Sequence, residues 1–376
     1  MRKYIEPSLQ KCKCVDCNRM RILFVVRTLG YGGASKQLAL LADALSKYDN
    51  EIFIYSYNAD KTAQSLSSDV TFIPELKVSR NKFEEYLFSI FKIRKKIREI
   101  KPHVIISWRS NAGCFSRLAS IGLNVKTVFC DRTDPYTETS IALKISAFIC
   151  GFSYGGVFQL EKVRKYYKRL YEKSIVIHNP IDSDMKNHNQ IPYKERSKKI
   201  VHVGRFVLVQ KRQDVMLDAF KVFLERNSDY TLHFYGDGCD YDYVKKLAIE
   251  KGVSNSVVFH GAVRNIPEVI KDARMLVLTS DYEGIPNVIL EAFAAAVPVI
   301  STDCSPGGAR LLLGNNENGL LAPIGDAQKI AMQMQRIVND EKIAQTFISK
   351  GCAKLNDFRP ETVFAKWDEY LKSVVQ

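Results

Sequence analysis

No apolar stretch in the 376-residue chain approaches the roughly eighteen residues that a membrane-spanning helix needs. The best attempt, Ile141 to Phe152, is interrupted by Lys144 and stops at Gly155-Gly156. The six histidines, His103, His178, His188, His202, His233 and His260, are scattered and never paired at metal spacing. With no convincing Asp-x-Asp motif either, no divalent cation and no cofactor is expected. Cys12, Cys14 and Cys17 form C-x-C-x-x-C, but no fourth ligand stands nearby to close a zinc site. The nine cysteines are odd in number and follow no signal-peptide pattern, which argues against a disulfide framework and predicts reduced thiols in the cytoplasm. Acidic residues are scarce in the first half. Residues 1–190 hold 31 basic and 18 acidic side chains, against 24 and 23 in 191–376, so nearly all of the +14 net charge belongs to the first half.

What the chain does have is 46% hydrophobic and 26% charged residues, the composition of a globular protein long enough for two domains. From Arg21 onward, short β-branched runs alternate with longer amphipathic ones, the pattern of parallel sheets covered by helices on both faces. Strands are expected at Ile22–Val26, Glu51–Tyr57, Val70–Ile73, Val104–Trp108, Thr127–Cys130, Gly156–Phe158 and Ser174–Ile177. After a polar stretch, Ser183–Lys199, a second series starts at Ile200 and runs through Thr231–Tyr235, Val257–His260, Met275–Thr279, Val299–Ser301 and Leu320–Ala322. The fold class is therefore α/β, two doubly wound Rossmann-like domains facing across a cleft. The expected bounds are an appendage at 1–19, a first domain at 20–182, a linker at 183–199, a second domain at 200–359 and a helix at 360–376 that packs across domains. Ligands in such sheets bind beyond the carboxyl ends of the strands.

The densest chemistry follows Thr279. A turn carries Glu283 and Gly284, Pro286 suits the first position of a helix, and Glu291 lies about 7 Å further along the axis. The unpaired N–H groups of such a helix start attract phosphate. Two carboxylates at that separation suit opposite ends of an elongated polyhydroxylated ligand. Gly204-Arg205 ends the second domain's first strand, and Arg205 with Lys211 can clamp a diphosphate without metal, Lys211 competing with Arg212 for that place. Gly236-Asp237-Gly238 forms a further turn. Gly30-Tyr31-Gly32-Gly33 follows the first strand of the first domain.

In order and spacing these segments, with Pro298-Val299-Ile300-Ser301-Thr302-Asp303 and Asn318-Gly319-Leu320-Leu321, resemble the retaining, nucleotide-sugar-dependent glycosyltransferases of the GT-B fold. That group includes sucrose synthase and the bacterial phosphatidylinositol mannosyltransferases. Asp131-Arg132-Thr133-Asp134-Pro135 and Asp303-Cys304-Ser305-Pro306-Gly307 further resemble members that build bacterial surface polysaccharides or lipid-linked oligosaccharides. The resemblance implies that Glu283 meets the donor sugar near the reacting carbon and that Glu291 holds the ribose. It assigns the leaving diphosphate to Arg205 and Lys211, with Gly284, Ile285, Asn287 and Val288 around it, and the base to the neighbourhood of Val263 and Arg264. Gly32 and Gly33 would approach the phosphates or the acceptor, and Arg132 would be an acceptor-contacting or catalytic group. The implied first domain binds the acceptor, the second the nucleotide sugar.

The expected enzyme is a retaining, metal-independent glycosyltransferase moving a sugar, with UDP the expected nucleotide, to a lipid-linked saccharide. A sugar-nucleotide epimerase on the same fold and a nucleic-acid-binding protein are the alternatives. The second is disfavoured because the phosphate-binding features lie in the neutral half. The helix Asn81–Lys101, apolar at Phe83, Leu87, Ile90, Phe91 and Ile97 and crowded with Lys92, Arg94, Lys95, Lys96, Arg98 and Lys101, is read either as a core helix with a solvated side or as a basic face for an anionic membrane. A second basic helix carries Lys162, Arg164, Lys165, Lys168 and Arg169. Together they suggest a cytoplasmic protein, peripheral on the inner face of the cell membrane.

Overall fold

The computed structural model describes residues 19–30, 33–58, 64–75, 82–132, 134–137, 139–181 and 191–376. Cys12, Cys14, Cys17, Gly32 and residues 183–190 of the expected linker lie outside the described residues. The first seven strands are β1 Arg21–Val26, β2 Glu51–Ser56, β3 Val70–Pro74, β4 Val104–Trp108, β5 Lys126–Asp131, β6 Gly155–Phe158 and β7 Ser174–Val176. They form one parallel sheet in the order β3-β2-β1-β4-β5-β6-β7. The second sheet is also parallel, in the order β10-β9-β8-β11-β12-β13. Its strands are β8 Lys199–Val203, β9 Thr231–Tyr235, β10 Val257–Phe259, β11 Met275–Leu278, β12 Val299–Thr302 and β13 Leu320–Ala322. These are two Rossmann-like domains, the α/β class expected.

Alternation along each strand feeds two helical layers, because successive side chains point to opposite faces. In β1, Ile22, Phe24 and Val26 pack with Leu38 and Leu41 of helix Gly33–Ser46 and with Trp367 of helix Pro360–Val375. Leu23 and Val25 face the other way, toward Ile93, Ile97 and Phe115. That second layer comprises helices Lys82–Ile100, Ser110–Ala119, Ile141–Cys150 and Glu161–Tyr166.

Three details depart from expectation. Strand β8 begins at Lys199, and just before it Tyr193 and Arg196 are buried, Arg196 donating to the Ala296 carbonyl at 2.7 Å. The end of the polar stretch is thus anchored to the second domain. Helix Glu341–Lys354 was not foreseen, since only Ala344, Phe347 and Gly351 of it are buried. In helix Lys82–Ile100 the buried stripe runs through Ser89, Ile93 and Ile97, leaving Leu87, Phe88 and Phe91 exposed. The Phe83 side chain lies outside the described residues. The basic residues there are partly engaged: Lys92 pairs with Glu75 at 2.9 Å, and Arg94 donates to the carbonyls of Ala119 and Ile121.

The chain's last helix returns to the first domain. Trp367 and Leu371 are fully buried against the β1 layer, and the Tyr370 hydroxyl accepts from Gly156 N–H and donates to the Lys173 carbonyl. Among the described residues, no helix is long and apolar enough to cross a membrane. Truncating Leu371 to Ala is expected to destabilise the protein by about 2–5 kcal/mol, the range for deleting a buried leucine side chain. Urea unfolding measures it, and a midpoint equal to wild type would mean the helix contributes no docking energy.

Candidate active site

In each sheet the strand order reverses between neighbouring strands, β1/β4 in the first and β8/β11 in the second. A crevice opens at the carboxyl ends of such strands. The two crevices meet: a Cβ placed on Gly33, just after β1, would lie 3.2 Å from the Asn287 amide nitrogen, just after β11.

On the second domain's side, β8 ends in Gly204-Arg205-Phe206. Phe206 is fully buried and its N–H donates to the Asp237 carbonyl at 3.0 Å, which fixes the loop and leaves Arg205 exposed. Only glycine fits at Gly236, where φ is 141° and a Cβ would overlap the Gly204 carbonyl. The short helix Leu208–Lys211 then runs the Lys211 stem over Gly204 and delivers its ammonium to Glu283. Ser280 Oγ donates to the same Glu283 oxygen at 3.0 Å. Both members of this ion pair are largely buried, with side-chain exposures of 13% and 12%. Arg212 is held elsewhere by Asp214 and Asp281, which raise its already high pKa. Of the two competing cations, Lys211 is therefore the one beside Glu283.

The turn carrying Glu283 is braced from both neighbouring strands. Asp281 N–H donates to Gln210 carbonyl, Glu283 N–H to Ser305 carbonyl at 2.9 Å, and Thr302 Oγ1 to Ser280 carbonyl at 2.5 Å. The loop at Gly308 approaches so closely that a Cβ there would overlap the Gly284 carbonyl. Helix Asn287–Ala294 starts at this point, with Pro286 ahead of it, Ile285 buried and Val288 partly buried. Glu291, one turn on, lines a groove with Lys36, Gln37, Pro180, Ile181 and Asn287, between its own helix and helix Gly33–Ser46. Arg264 is exposed beyond β10, at the far edge of the sheet from β11.

From the first domain, Arg132 follows β5 and is packed between Trp108, at 4.4 Å, and Trp367, at 5.8 Å. Burial lowers its pKa to about 10, so it stays cationic at neutral pH. Its Nη1 donates to Asn179 Oδ1 at 3.0 Å, and the Asn179 amide donates to Asn287 Oδ1 at 3.3 Å. A polar relay thus runs from Arg132 to the start of the second domain's helix. Gly284 also faces the first domain, a Cβ there meeting Gln159 Oε1 at 3.0 Å and the Arg132 carbonyl at 3.3 Å. The structure therefore brings Glu283, Lys211, Gly284, Asn287, Arg132 and Gly33 together, with Arg205 at the rim and Arg264 apart. Sequence reasoning missed Asn179, Ser280 and the aromatic walls around Arg132. Asn179-Pro180 gives no motif signal, because its role depends on tertiary contact. Among the described residues no group of three His, Cys, Asp or Glu side chains could hold a metal ion.

Residues 183–353 match the family described as Glycosyl transferases group 1. The chain is similar to a Campylobacter jejuni GalNAc-alpha-(1->4)-GalNAc-alpha-(1->3)-diNAcBac-PP-undecaprenol alpha-1,4-N-acetyl-D-galactosaminyltransferase, 26% identical over 94% of this chain and 99% of that protein. It is also similar to the amylovoran biosynthesis glycosyltransferase AmsD of Erwinia amylovora, 22% identical over 90% and 96% of the two chains. Among solved structures, HepE of Anabaena with UDP and glucose superposes with a TM-score of 0.78 at 19% identity, covering 94% of this chain and 100% of that one. The lipopolysaccharide outer core galactosyltransferase WaaB gives 0.77 at 18%, covering 94% and 99%. The two-domain architecture is the GT-B fold.

Beneath the Lys211 loop, the fully buried His202 places Nε2 3.3 Å from Thr279 Oγ1, which donates in turn to the Lys211 and Arg212 carbonyls. Among the described residues its Nδ1 has no hydrogen-bond partner, and burial followed by the Lys211 charge pushes its pKa down to about 3. The folded pKa lies below the ordinary 6.5, so the unfolded chain binds the proton first as pH falls. His202 therefore contributes its full stability above pH 6.5 and loses about 1.4 kcal/mol per pH unit between there and about 3. Chemical denaturation across pH 4–7 is expected to show a shallower acid slope in His202→Gln; an unchanged slope would exclude this residue as a source.

Proposed function

We propose that this chain is a retaining, metal-independent glycosyltransferase. It moves a sugar from a UDP-sugar to a lipid-linked saccharide during assembly of a bacterial surface polysaccharide or glycolipid. It works in the cytoplasm at the inner face of the membrane. The observation that carries the reading is the buried Lys211–Glu283 pair at the β8/β11 switch point, set against the start of helix Asn287–Ala294, which Asn179 links to Arg132. The full-length similarity to an enzyme whose name specifies an undecaprenol diphosphate acceptor supports the lipid-linked part.

Breaking a glycosidic bond to a nucleotide develops negative charge on the departing diphosphate and positive charge on the sugar. Lys211, Arg205 and the N–H groups around Asn287 meet the first, and Glu283 meets the second. Without donor, Lys211 and Glu283 neutralise one another. With donor, the diphosphate draws the ammonium and leaves the carboxylate facing the sugar. Such charge-assisted contacts are strong and need no bound cation. Glu291, which lines the groove between the domains, would hold the ribose hydroxyls.

UDP is expected to raise the melting temperature, as any ligand that binds only the native state does. Glu283→Gln should cut turnover at least ~100-fold, as loss of one preorganised charge-stabilising group does, while UDP still protects. Lys211→Ala should weaken UDP protection by about tenfold or more. Turnover should survive EDTA. Near-normal turnover in Glu283→Gln, or no response to UDP, would overturn the assignment.

A further inference from the structure

The first domain carries an apolar surface that the site does not use. On helix Ile141–Cys150, Ile141 is 76% exposed, Ile145 55% and Phe148 57%, at helical spacing that puts them on one side, followed by exposed Phe152. On helix Lys82–Ile100, Leu87, Phe88 and Phe91 stand out in the same way, Phe91 at 68% exposure. Helix Ser110–Ala119 joins the two. Arg94 of one neighbour donates to its terminal carbonyl at Ala119 and to Ile121, and its own Arg117 donates to the Phe152 carbonyl at 2.7 Å. Ser146 is 3.4 Å from Asn111 Oδ1. Ile121, at the end of the joining helix, is exposed as well.

Cations rim this surface. Arg169 lies 4.9 Å over the Phe148 ring and 4.4 Å over Phe152, Lys162 lies over Tyr136, and Lys126 lies over Tyr154. Lys144 sits on the exposed side of helix Ile141–Cys150, and Lys95 and Arg98 follow Phe91 on the exposed side of theirs. Between Ile141 and Lys173 the sequence holds seven basic residues against two acidic. We propose that this face docks on an anionic phospholipid surface, inserting Ile141, Ile145, Phe148, Phe152 and Phe91 among the acyl chains while the cations meet the headgroups. Side chains with an apolar body and a charged or polar tip suit that boundary. A second copy is the poorer occupant, because face-to-face pairing would bring like charges together. On helix Lys82–Ile100, Lys92 and Arg94 make internal contacts, Lys95 and Arg98 remain outward, and the apolar side chains do the inserting. This deepens the lipid-linked reading of the acceptor and rests on that reading for its biological setting.

The test uses the full chain and vesicles of phosphatidylethanolamine with phosphatidylglycerol. Wild type should co-sediment, more weakly at high salt and on phosphatidylcholine alone. Ile145→Asn/Phe148→Ser should weaken partition by roughly tenfold or more, with UDP protection unchanged. Phe148→Trp should be quenched by brominated lipid. Glu283→Gln should bind vesicles like wild type, so loss of transfer and loss of docking are read separately. Unchanged sedimentation of the double variant, no quenching of Phe148→Trp, or a wild-type dimer that the double variant converts to monomer would each overturn the proposal.

Discussion

Among the described residues the two sheets share no hydrogen-bonded strand, so the geometry of the cleft depends on what ties one domain to the other. One tie is the return of helix Pro360–Val375 to the first domain. Burying an aromatic as large as Trp367 removes some 150–250 Å² from water, and its ring also forms one wall of the Arg132 cage. Docking the helix and orienting Arg132 are therefore one event. From Arg132 the constraint passes through Asn179 to Asn287, and so to the helix start that faces the candidate site. Loss of Trp367 packing would loosen a cation and a helix terminus in opposite domains at once.

Within the second domain the decisive constraint is electrostatic. A largely buried ion pair seldom adds much stability, since desolvating both charges offsets most of their attraction. Lys211 and Glu283 also sit on segments that are otherwise fully braced, by Phe206, Thr279, Ser280 and Ser305. The fold does not need the pair to hold these loops. That makes the pair exchangeable: in the proposed function, a diphosphate arriving beside Lys211 would replace one anion with another, and the carboxylate it released would already be in place.

Much of this was legible because buried parallel strands read as short β-branched runs, and the turn after β11 has an unusual density of Glu, Gly, Pro and Asn in fixed order. The places where reading failed share a cause. Helix Lys82–Ile100 has apolar residues on more than one side, so periodicity could not say which side packs; Ile93 and Ile97 win because they meet Leu23 and Val25. Helix Glu341–Lys354 shows a weak pattern because it packs partly through Gly351, where a Cβ would strike the Phe293 ring. Asn179 and the Trp108–Arg132–Trp367 stack are contacts between residues distant in sequence, which no local pattern carries.

The charge asymmetry also changes meaning once side chains are placed. A +13 excess in the first half suggests a diffuse field for a polyanion, but Lys92 and Arg94 serve internal contacts and Arg132 lies in an aromatic cage. Several of the cations that remain outward sit over or beside exposed aromatics. A polyanion such as nucleic acid would use the charge and leave Ile141, Ile145 and Phe91 in water, at a cost that grows with each exposed apolar group. A lipid surface uses both features together. Cation and apolar side chain placed on the same outer face are what separates the two kinds of partner, and net charge alone could not make that separation.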